Sequence, residues 1–493
     1  MADGASATHP VKHPERFFIG GEWVAPSSDS KIHVRDSTSE EVFLSVAEAQ
    51  DADVDRAVAA AREAFDRGPW PRMSHRERAQ WMNRIADEWK LRGEDIADTW
   101  TRESGVLRSI AGSAGGAAGV FRYYASLAET FQWEERTVSQ TGQPALRVRE
   151  PVGVVGAIVP WNGANGIIAN KVAPALIAGC TVVVKASPES PASAYILAEI
   201  CEKIGLPKGV VNVFTAEREV SERLVRNPGV DKITFTGSTA AGRRIASICG
   251  ERIARVTLEL GGKSPAIILD DYDIGLAAEQ ISRNAGLLTG QVCSSLTRLI
   301  VPRKRHDEFV EALASTFSKV TVGDPFDPAT QMGPLAMERQ RDRVEGYIAQ
   351  GKADGAQLAT GGGRPAHLNR GYFIEPTVFG NVDNSWTIAR EEIFGPVLSV
   401  IPADSEAQAI DIANDTIYGL NSAVFTNDPD RAYAVGRLIR AGTVGQNEWK
   451  TDFTVGFGGF KQSGLGREGG VDGLLPFLEA KSMIFEKMPS HIK

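Results

Sequence analysis

The chain has 493 residues, 42% of them apolar and 24% charged, proportions that exclude a disordered or fibrous protein. Against 54 Lys and Arg stand 62 Asp and Glu, a net charge of -8 with no Lys/Arg block, which argues against nucleic acid or an anionic membrane as partner. The length suits about three domains, so clefts between domains are expected, with small molecules as partners.

The opening MADGASATHPVKHPERFF lacks the apolar core of a signal peptide and the acid-poor Arg pattern of a transit peptide, so a cytoplasmic protein is expected. The longest apolar runs, such as residues 173–184, fall short of the roughly 18–20 residues that span a bilayer. Cys180, Cys201, Cys249 and Cys293 lie far apart with no CxxC pair. That usage suits free thiols in a reducing compartment and gives no sign of a metal site.

In chain order, a strand is expected over residues 17–24. Val54, Ala57, Val58, Ala61 and Phe65 then recur at helical spacing until Gly68 and Pro69. A second helix is expected over 74–92, before Gly93. Residues 132–150 are polar, and Leu146, Arg147, Val148 and Arg149 alternate in the manner of an edge strand. Beyond residue 150, apolar runs at 153–159, 181–185 and 232–236 alternate with helical stretches such as 190–204, the texture of a parallel sheet covered on both faces. Further strands are expected at 256–260, 266–269 and 297–301, with a helix over 274–287.

One GxGxxG run exists, from Gly464 to Gly469. Glycines crowd both flanks, so the run reads as a surface or hinge loop and not as the strand–turn–helix of a dinucleotide fingerprint. The turn Thr236-Gly237-Ser238-Thr239 follows an apolar strand and opens a helix, where free N–H groups favour an anion; an ordinary capped turn reads equally well. In Glu259-Leu260-Gly261-Gly262-Lys263 a carboxylate ends an apolar strand, as a general base or as the partner of Lys263. Cys293 follows a helix end, as a nucleophile or an inert thiol. No histidine stands out to serve it: His9, His13, His33 and His491 are near the termini, and His75, His306 and His367 sit in polar, solvated contexts. A Cys with a Glu and a nucleotide points instead to addition of sulfur to a carbonyl, loss of hydride to a nicotinamide, and activation of water by the carboxylate.

These segments resemble the aldehyde dehydrogenase family in order and spacing, almost end to end. The matching residues are Pro160-Trp161-Asn162, Lys185, Gly237-Ser238, Glu259 to Lys263, Gly290-Gln291-Val292-Cys293 with Arg298, Glu392-Ile393-Phe394-Gly395-Pro396, Asn447, Phe457 to Lys461, and Ser463-Gly464. The resemblance implies an α/β fold: a Rossmann-like nucleotide-binding domain (1–131 and 151–260), an α/β catalytic domain (261–465) and a small strand-rich oligomerisation arm (132–150 and 466–493), assembled as a homodimer or homotetramer. It implies Cys293 as nucleophile, Glu259 as base and Asn162 as oxyanion donor. Lys171 matches a lysine near the base, as a proton relay or a surface lysine after a helix. For NAD, with NADP also open, it implies Trp161, Gly237 and Ser238 at the phosphates, Lys185 at the adenosine ribose, Leu260 at the carboxamide, and Glu392 and Phe394 at the nicotinamide end.

Two departures bear on specificity. Pro188 stands where the family commonly has a Glu at the adenosine ribose, and Gly163 and Asn170 stand where aromatic residues often wall the substrate channel. Pro188 leaves the choice between NAD and NADP open, whereas Gly163 and Asn170, with Leu287, Leu288, Trp449, Phe453 and Phe457, point to a bulky apolar aldehyde. An acylating enzyme using coenzyme A and a silent binding protein with the same fold are the rival readings; the former typically lacks the base Glu, and the latter has no need of the Cys293, Glu259 and Asn162 set.

Overall fold

The computed structural model describes residues 9–490 and 492, so His491 and the first eight residues of the opening stretch lie outside the described residues. Two large sheets dominate. The first has eight strands in the order Gly464–Leu465, Arg255–Glu259, Lys232–Thr236, Val154–Ile158, Thr181–Ala186, Val211–Thr215, Phe17–Ile19 and Glu22–Val24. Its five central strands are mutually parallel. They are buried on both faces because helices cover both, and largely apolar, with Lys232, Thr234 and Thr257 among the buried polar exceptions. Helices His75–Leu91, Ala117–Thr130, Ala164–Ala178 and Ala192–Ile204 pack on one side, and Asp51–Asp66, Arg218–Arg226 and Thr239–Glu251 on the other. The Ala164–Ala178 helix is buried on nearly every side and stops where Gly179 turns left-handed at φ 100°.

The second sheet has seven strands, ordered Gln357–Thr360, Thr377–Gly380, Val397–Ala403, Leu296–Pro302, Ser264–Ile268, Ala423–Phe425 and Gly445–Gln446. It too is parallel except at one edge, with Glu338–Asp354 among the helices on one face and Ile274–Gly286 and His306–Phe317 on the other. This doubly wound architecture is the α/β fold expected from the alternation of apolar runs and helical periods.

Several local expectations are corrected. Residues 17–24 form a hairpin, turning at Gly20 and Gly21 with φ of 65° and 83°. The alternating run at 146–149 lies in the centre of a three-stranded antiparallel sheet, between Glu134–Val138 and Leu478–Ile484. Alternation reports one solvated face; which strand is the edge depends on the distant C-terminal segment. The glycine run is no surface loop either. Leu465 and Gly464 pair with Leu258 and Glu259 at the edge of the first sheet, and a Cβ on Gly464 would lie 2.2 Å from the Leu258 carbonyl oxygen. His306 is buried at 5% exposure, its ring accepting from the Asn381 N–H at 2.9 Å.

Candidate active site

The chain leaves the central Val154–Ile158 strand to build one half of the first sheet, then returns to build the other half from Lys232–Thr236. Ligands of open α/β sheets gather at the carboxyl ends of the strands beside such a reversal. Because the strands are parallel, Trp161 and Asn162, Lys185 and Pro188, Gly237 and Ser238, and Glu259 and Leu260 all fall at or just beyond that one edge. From Glu259 the chain runs through Leu260-Gly261-Gly262-Lys263 into the first strand of the second sheet. Cys293, and Glu392 with Phe394, stand just before the amino ends of two further strands of that sheet. The two sheets therefore meet edge to edge at the residues singled out in the sequence.

The loop carrying Cys293 is held in an unusual shape. After the Ile274–Gly286 helix, Leu288 and Thr289 take left-handed φ of 47° and 56°, which costs about 1–3 kcal/mol each. Thr289 Oγ1 donates to the Gly333 carbonyl at 2.9 Å, and the Gln291 side chain donates to the Leu288 carbonyl and accepts from the Ala336 N–H, both at 2.9 Å. Gln291 was read only as part of a motif; its role here is to pin the nucleophile loop. The Gly262 backbone abuts the Cys293 carbonyl, where a Cβ would sit at 2.4 Å. Cys293 is half-buried, whereas Cys180, Cys201 and Cys249 are buried. Burial, with the Glu392 and Glu259 carboxylates nearby, pushes the Cys293 thiol well above its ordinary range. The resting thiol therefore needs a base.

Asn162 donates from Nδ2 to the Gln291 carbonyl at 2.8 Å, which leaves the second amide hydrogen free. Its own carbonyl accepts from Trp100 Nε1 at 2.8 Å, and the Trp161 carbonyl accepts from Ser104 Oγ at 2.8 Å. Trp161 meets Phe394 edge to face at 5.4 Å.

Glu259 is 3% exposed and neither carboxylate oxygen has a hydrogen-bond partner. Burial first, and then the negative charge of Glu468, raise its carboxyl well above the usual range, against the opposing pull of Lys171 and Arg467. A Cβ on Gly458 would lie 2.8 Å from Glu259 Oε1, so glycine keeps that oxygen clear. Lys263 is not its partner: the buried Lys263 Nζ is itself unpaired, and burial lowers its pKa to about 7. Lys171 is no surface lysine. It is fully buried, with Nζ 2.5 Å from Glu468 Oε1 and 3.2 Å from Thr234 Oγ1. Sequence reasoning missed Glu468, which lies inside the glycine run set aside above; an acid set among glycines at 468–470 repeats the pattern that singled out Glu259.

The edge of the first sheet fits a nucleotide. A cleft of about 400 Å³ opens beside Lys185, Ser187, Pro188 and Glu189 and runs to Ala241 and Ile245 of the Thr239–Glu251 helix. Ser238 caps that helix, its Oγ accepting from the Ala241 N–H at 3.3 Å, so a positive helix end faces the region. Lys185 is buried, and desolvation lowers its pKa to about 8. Glu392 accepts from the Gly262 N–H at 3.1 Å, and burial raises its pKa to about 7. Beside Cys293 in the chain, Ser294 accepts from Trp449 Nε1 through its carbonyl and Oγ, both at 3.1 Å, and Phe453 stacks on Phe457 at 4.7 Å.

The profile described as "Aldehyde dehydrogenase family" matches residues 23–483. Geranial dehydrogenase of Castellaniella defragrans is 44% identical over 471 residues, covering 95% of this chain and 98% of its own. Among solved structures, a Mycobacterium tuberculosis aldehyde dehydrogenase complexed with NAD+ superposes with a TM-score of 0.93 at 44% identity, covering 97% of this chain and 99% of its own. Aldehyde dehydrogenase C from Pseudomonas syringae, a cysteine-to-alanine mutant complexed with NAD+ and octanal, gives 0.93 at 41% identity, covering 98% of this chain and all of its own. This chain belongs to the aldehyde dehydrogenase family. Among the described residues, no helix is long and apolar enough to cross a membrane, and no group of three His, Cys, Asp or Glu is placed to hold a metal ion.

Proposed function

We propose that this enzyme oxidises a bulky apolar aldehyde to its carboxylic acid by a thioester route, with NAD as the preferred dinucleotide and modest discrimination against NADP. The observation that carries the mechanism is Glu259, a buried carboxylate with both oxygens unpaired, backed by the Lys171–Glu468 pair. As the Cys293 sulfur bonds to the aldehyde carbon, Glu259 takes the thiol proton, directly or through a water molecule. The Asn162 amide and the Cys293 backbone N–H hold the oxyanion, each contributing about 3 kcal/mol to the transition state. A bound nicotinamide would supply the acceptor for hydride, the C–H hydrogen with its electron pair, whose loss converts the adduct to a thioester. Lys171 with Glu468 offers the thiol proton a buried path from Glu259 away from the site, and the ionised Glu259 then draws a proton from water as the water oxygen bonds to the acyl carbon. The carbon–sulfur bond breaks, and the departing Cys293 sulfur takes that proton back from Glu259, restoring the resting thiol.

Trp161, Gly237 and Ser238 would hold the phosphates, Lys185 with the Pro188 turn the adenosine ribose, Leu260 the carboxamide, and Glu392 and Phe394 the nicotinamide end. Residues 1–131 and 151–260 would form the cofactor domain, 261–465 the catalytic domain, and 132–150 with 466–493 the oligomerisation arm. Supporting the apolar substrate are the small Gly163, the short Asn170 side chain in place of an aromatic one, and the half-buried Trp449 and Phe453, the latter stacked on the buried Phe457. The geranial named for the Castellaniella relative and the octanal in the Pseudomonas complex belong to the same chemical class.

Cys293→Ala is expected to abolish oxidation, and Glu259→Gln to let a covalent acyl-enzyme accumulate, visible by mass spectrometry of the intact protein. A normal steady-state rate in Cys293→Ala would falsify the mechanism. Across an aldehyde panel, kcat/KM is expected to be higher for terpenoid, aromatic and medium-chain aldehydes than for acetaldehyde or betaine aldehyde; the reverse order overturns the substrate class.

A further inference from the structure

The cleft beside Lys185 carries an ion pair that no local stretch of sequence reveals. Glu189 follows the Thr181–Ala186 strand of the first sheet, next to the proline that replaces the common ribose-binding Glu. Its Oε2 accepts from the Ser187 hydroxyl, and its Oε1 meets Arg339 Nη2. Arg339 lies in the first turn of the Glu338–Asp354 helix, which packs on the second sheet through Val344 and Ile348. The pair therefore ties the two α/β bodies together across the mouth of the cleft, and both residues line it with Lys185 and Pro188. The partners differ in freedom: the Glu189 side chain is 16% exposed and anchored by Ser187, whereas Arg339 is 66% exposed and held through a single nitrogen. Burial raises the Glu189 carboxyl, but Arg339 and Ser187 outweigh it and leave the acid below its usual range, so Glu189 is charged at neutral pH.

We propose that the Glu189–Arg339 pair sets selectivity between the two dinucleotides, with Glu189 doing the work of the acid missing at position 188 and Arg339 opposing it. The proposal rests on the reading of this cleft as the adenosine site. A ribose 2′-hydroxyl can donate to the Glu189 carboxylate, while a 2′-phosphate is repelled by it. Arg339 keeps four N–H groups free, and its planar fork suits a phosphate, as does the neighbouring ammonium of Lys185. With both members present the opposing charges nearly cancel, which explains modest discrimination without a second glutamate or a dedicated phosphate clamp.

The test is calorimetric binding of ADP-ribose and 2′-phospho-ADP-ribose to the full-length protein, which needs no turnover. Glu189→Gln is expected to shift the ratio of the two Kd values toward the phosphorylated ligand by about tenfold, or about 1.4 kcal/mol. Arg339→Gln is expected to shift it by a similar factor the other way, and the double variant to return near the parent ratio. Both single variants moving the ratio in one direction, or neither moving it by as much as about twofold (about 0.4 kcal/mol), overturns the proposal. Ala241→Trp, which fills the cleft, separates the two levels. If it leaves ADP-ribose binding intact, the cleft is not the adenosine site and the underlying reading falls. If it abolishes binding while the charge variants leave the ratio unmoved, the reading stands and the pair has no part in selectivity.

Discussion

Glu259 sits at the end of a strand in dry surroundings, and that placement governs its pH behaviour. A base acts only when ionised, so the deacylation rate is expected to climb as pH rises through a pKa held well above 4.5 by burial and by Glu468. In Glu468→Gln the like charge is removed and Lys171 is released to attract Glu259, so the acid limb of the pH–rate profile moves down by about one unit. Lys171→Met should move it up. Limbs that coincide in all three proteins would remove Glu468 and Lys171 from the relay. The same shift carries a stability cost. A carboxyl whose folded pKa is raised gives its full stabilisation below its unfolded pKa and loses it as pH rises through the folded one. Glu259→Gln is therefore expected to raise Tm at alkaline pH while slowing turnover, and a lower Tm there would contradict the assignment of an unpaired charge.

At the scale of elements, the antiparallel edge pairing of Gly464–Leu465 with the Arg255–Glu259 strand connects stability to the site. The pairing holds the strand end that presents Glu259 and carries the chain on to Glu468, and the Leu260 N–H donates to the Ser463 carbonyl at 2.9 Å. Gly464→Ala would place a methyl 2.2 Å from the Leu258 carbonyl oxygen, too close to be relieved by a rotamer change. Overpacking of this kind costs about 1–3 kcal/mol. The expected result is a lower Tm together with the altered pH profile of a displaced Glu468; unchanged melting and an unchanged profile would mean that the edge strand does not position the acid. This element also shows where local reading failed. A GxGxxG run can open a helix, cross a surface or pair with a strand, and only the partner more than 200 residues away, at Leu258 and Glu259, decides among these.

For the whole molecule, the three-stranded sheet stands apart from the two large sheets and leaves much of its surface exposed. Its register sets Val138 opposite Pro144 and Ile484 opposite Ala145, so two exposed apolar side chains, at 68% and 59% exposure, stand at one end of the sheet on opposite faces. Among the described residues, its outer strands, Glu134–Val138 and Leu478–Ile484, each keep an unpaired edge. Open edges beside apolar surface favour association with another copy. Light scattering at micromolar concentration is expected to return a dimer or tetramer, and Val138→Glu with Ile484→Glu to shift it toward monomer. A stable monomer of the parent protein would defeat the assignment of this sheet as an assembly arm.

Periodicity placed four of the five central strands of the first sheet to within a residue or two, because strands buried on both faces are largely apolar, but it gave neither Val211–Thr215 nor the Gly464–Leu465 edge. Residue types left Cys293 and Glu259 with plain structural alternatives; the resemblance to the aldehyde dehydrogenase family, carried by the order and spacing of many separated motifs, is what singled them out together with Asn162. What sequence could not supply was environment. Lys171 and Glu468 are 297 residues apart, His306 looked solvated, and Glu189 meets Arg339 only across the junction of two sheets. Burial and charge pairing are properties of what the rest of the chain brings near a residue. They fix which acid is unpaired, which lysine is desolvated and which strand becomes an edge, and those were decided by tertiary structure alone.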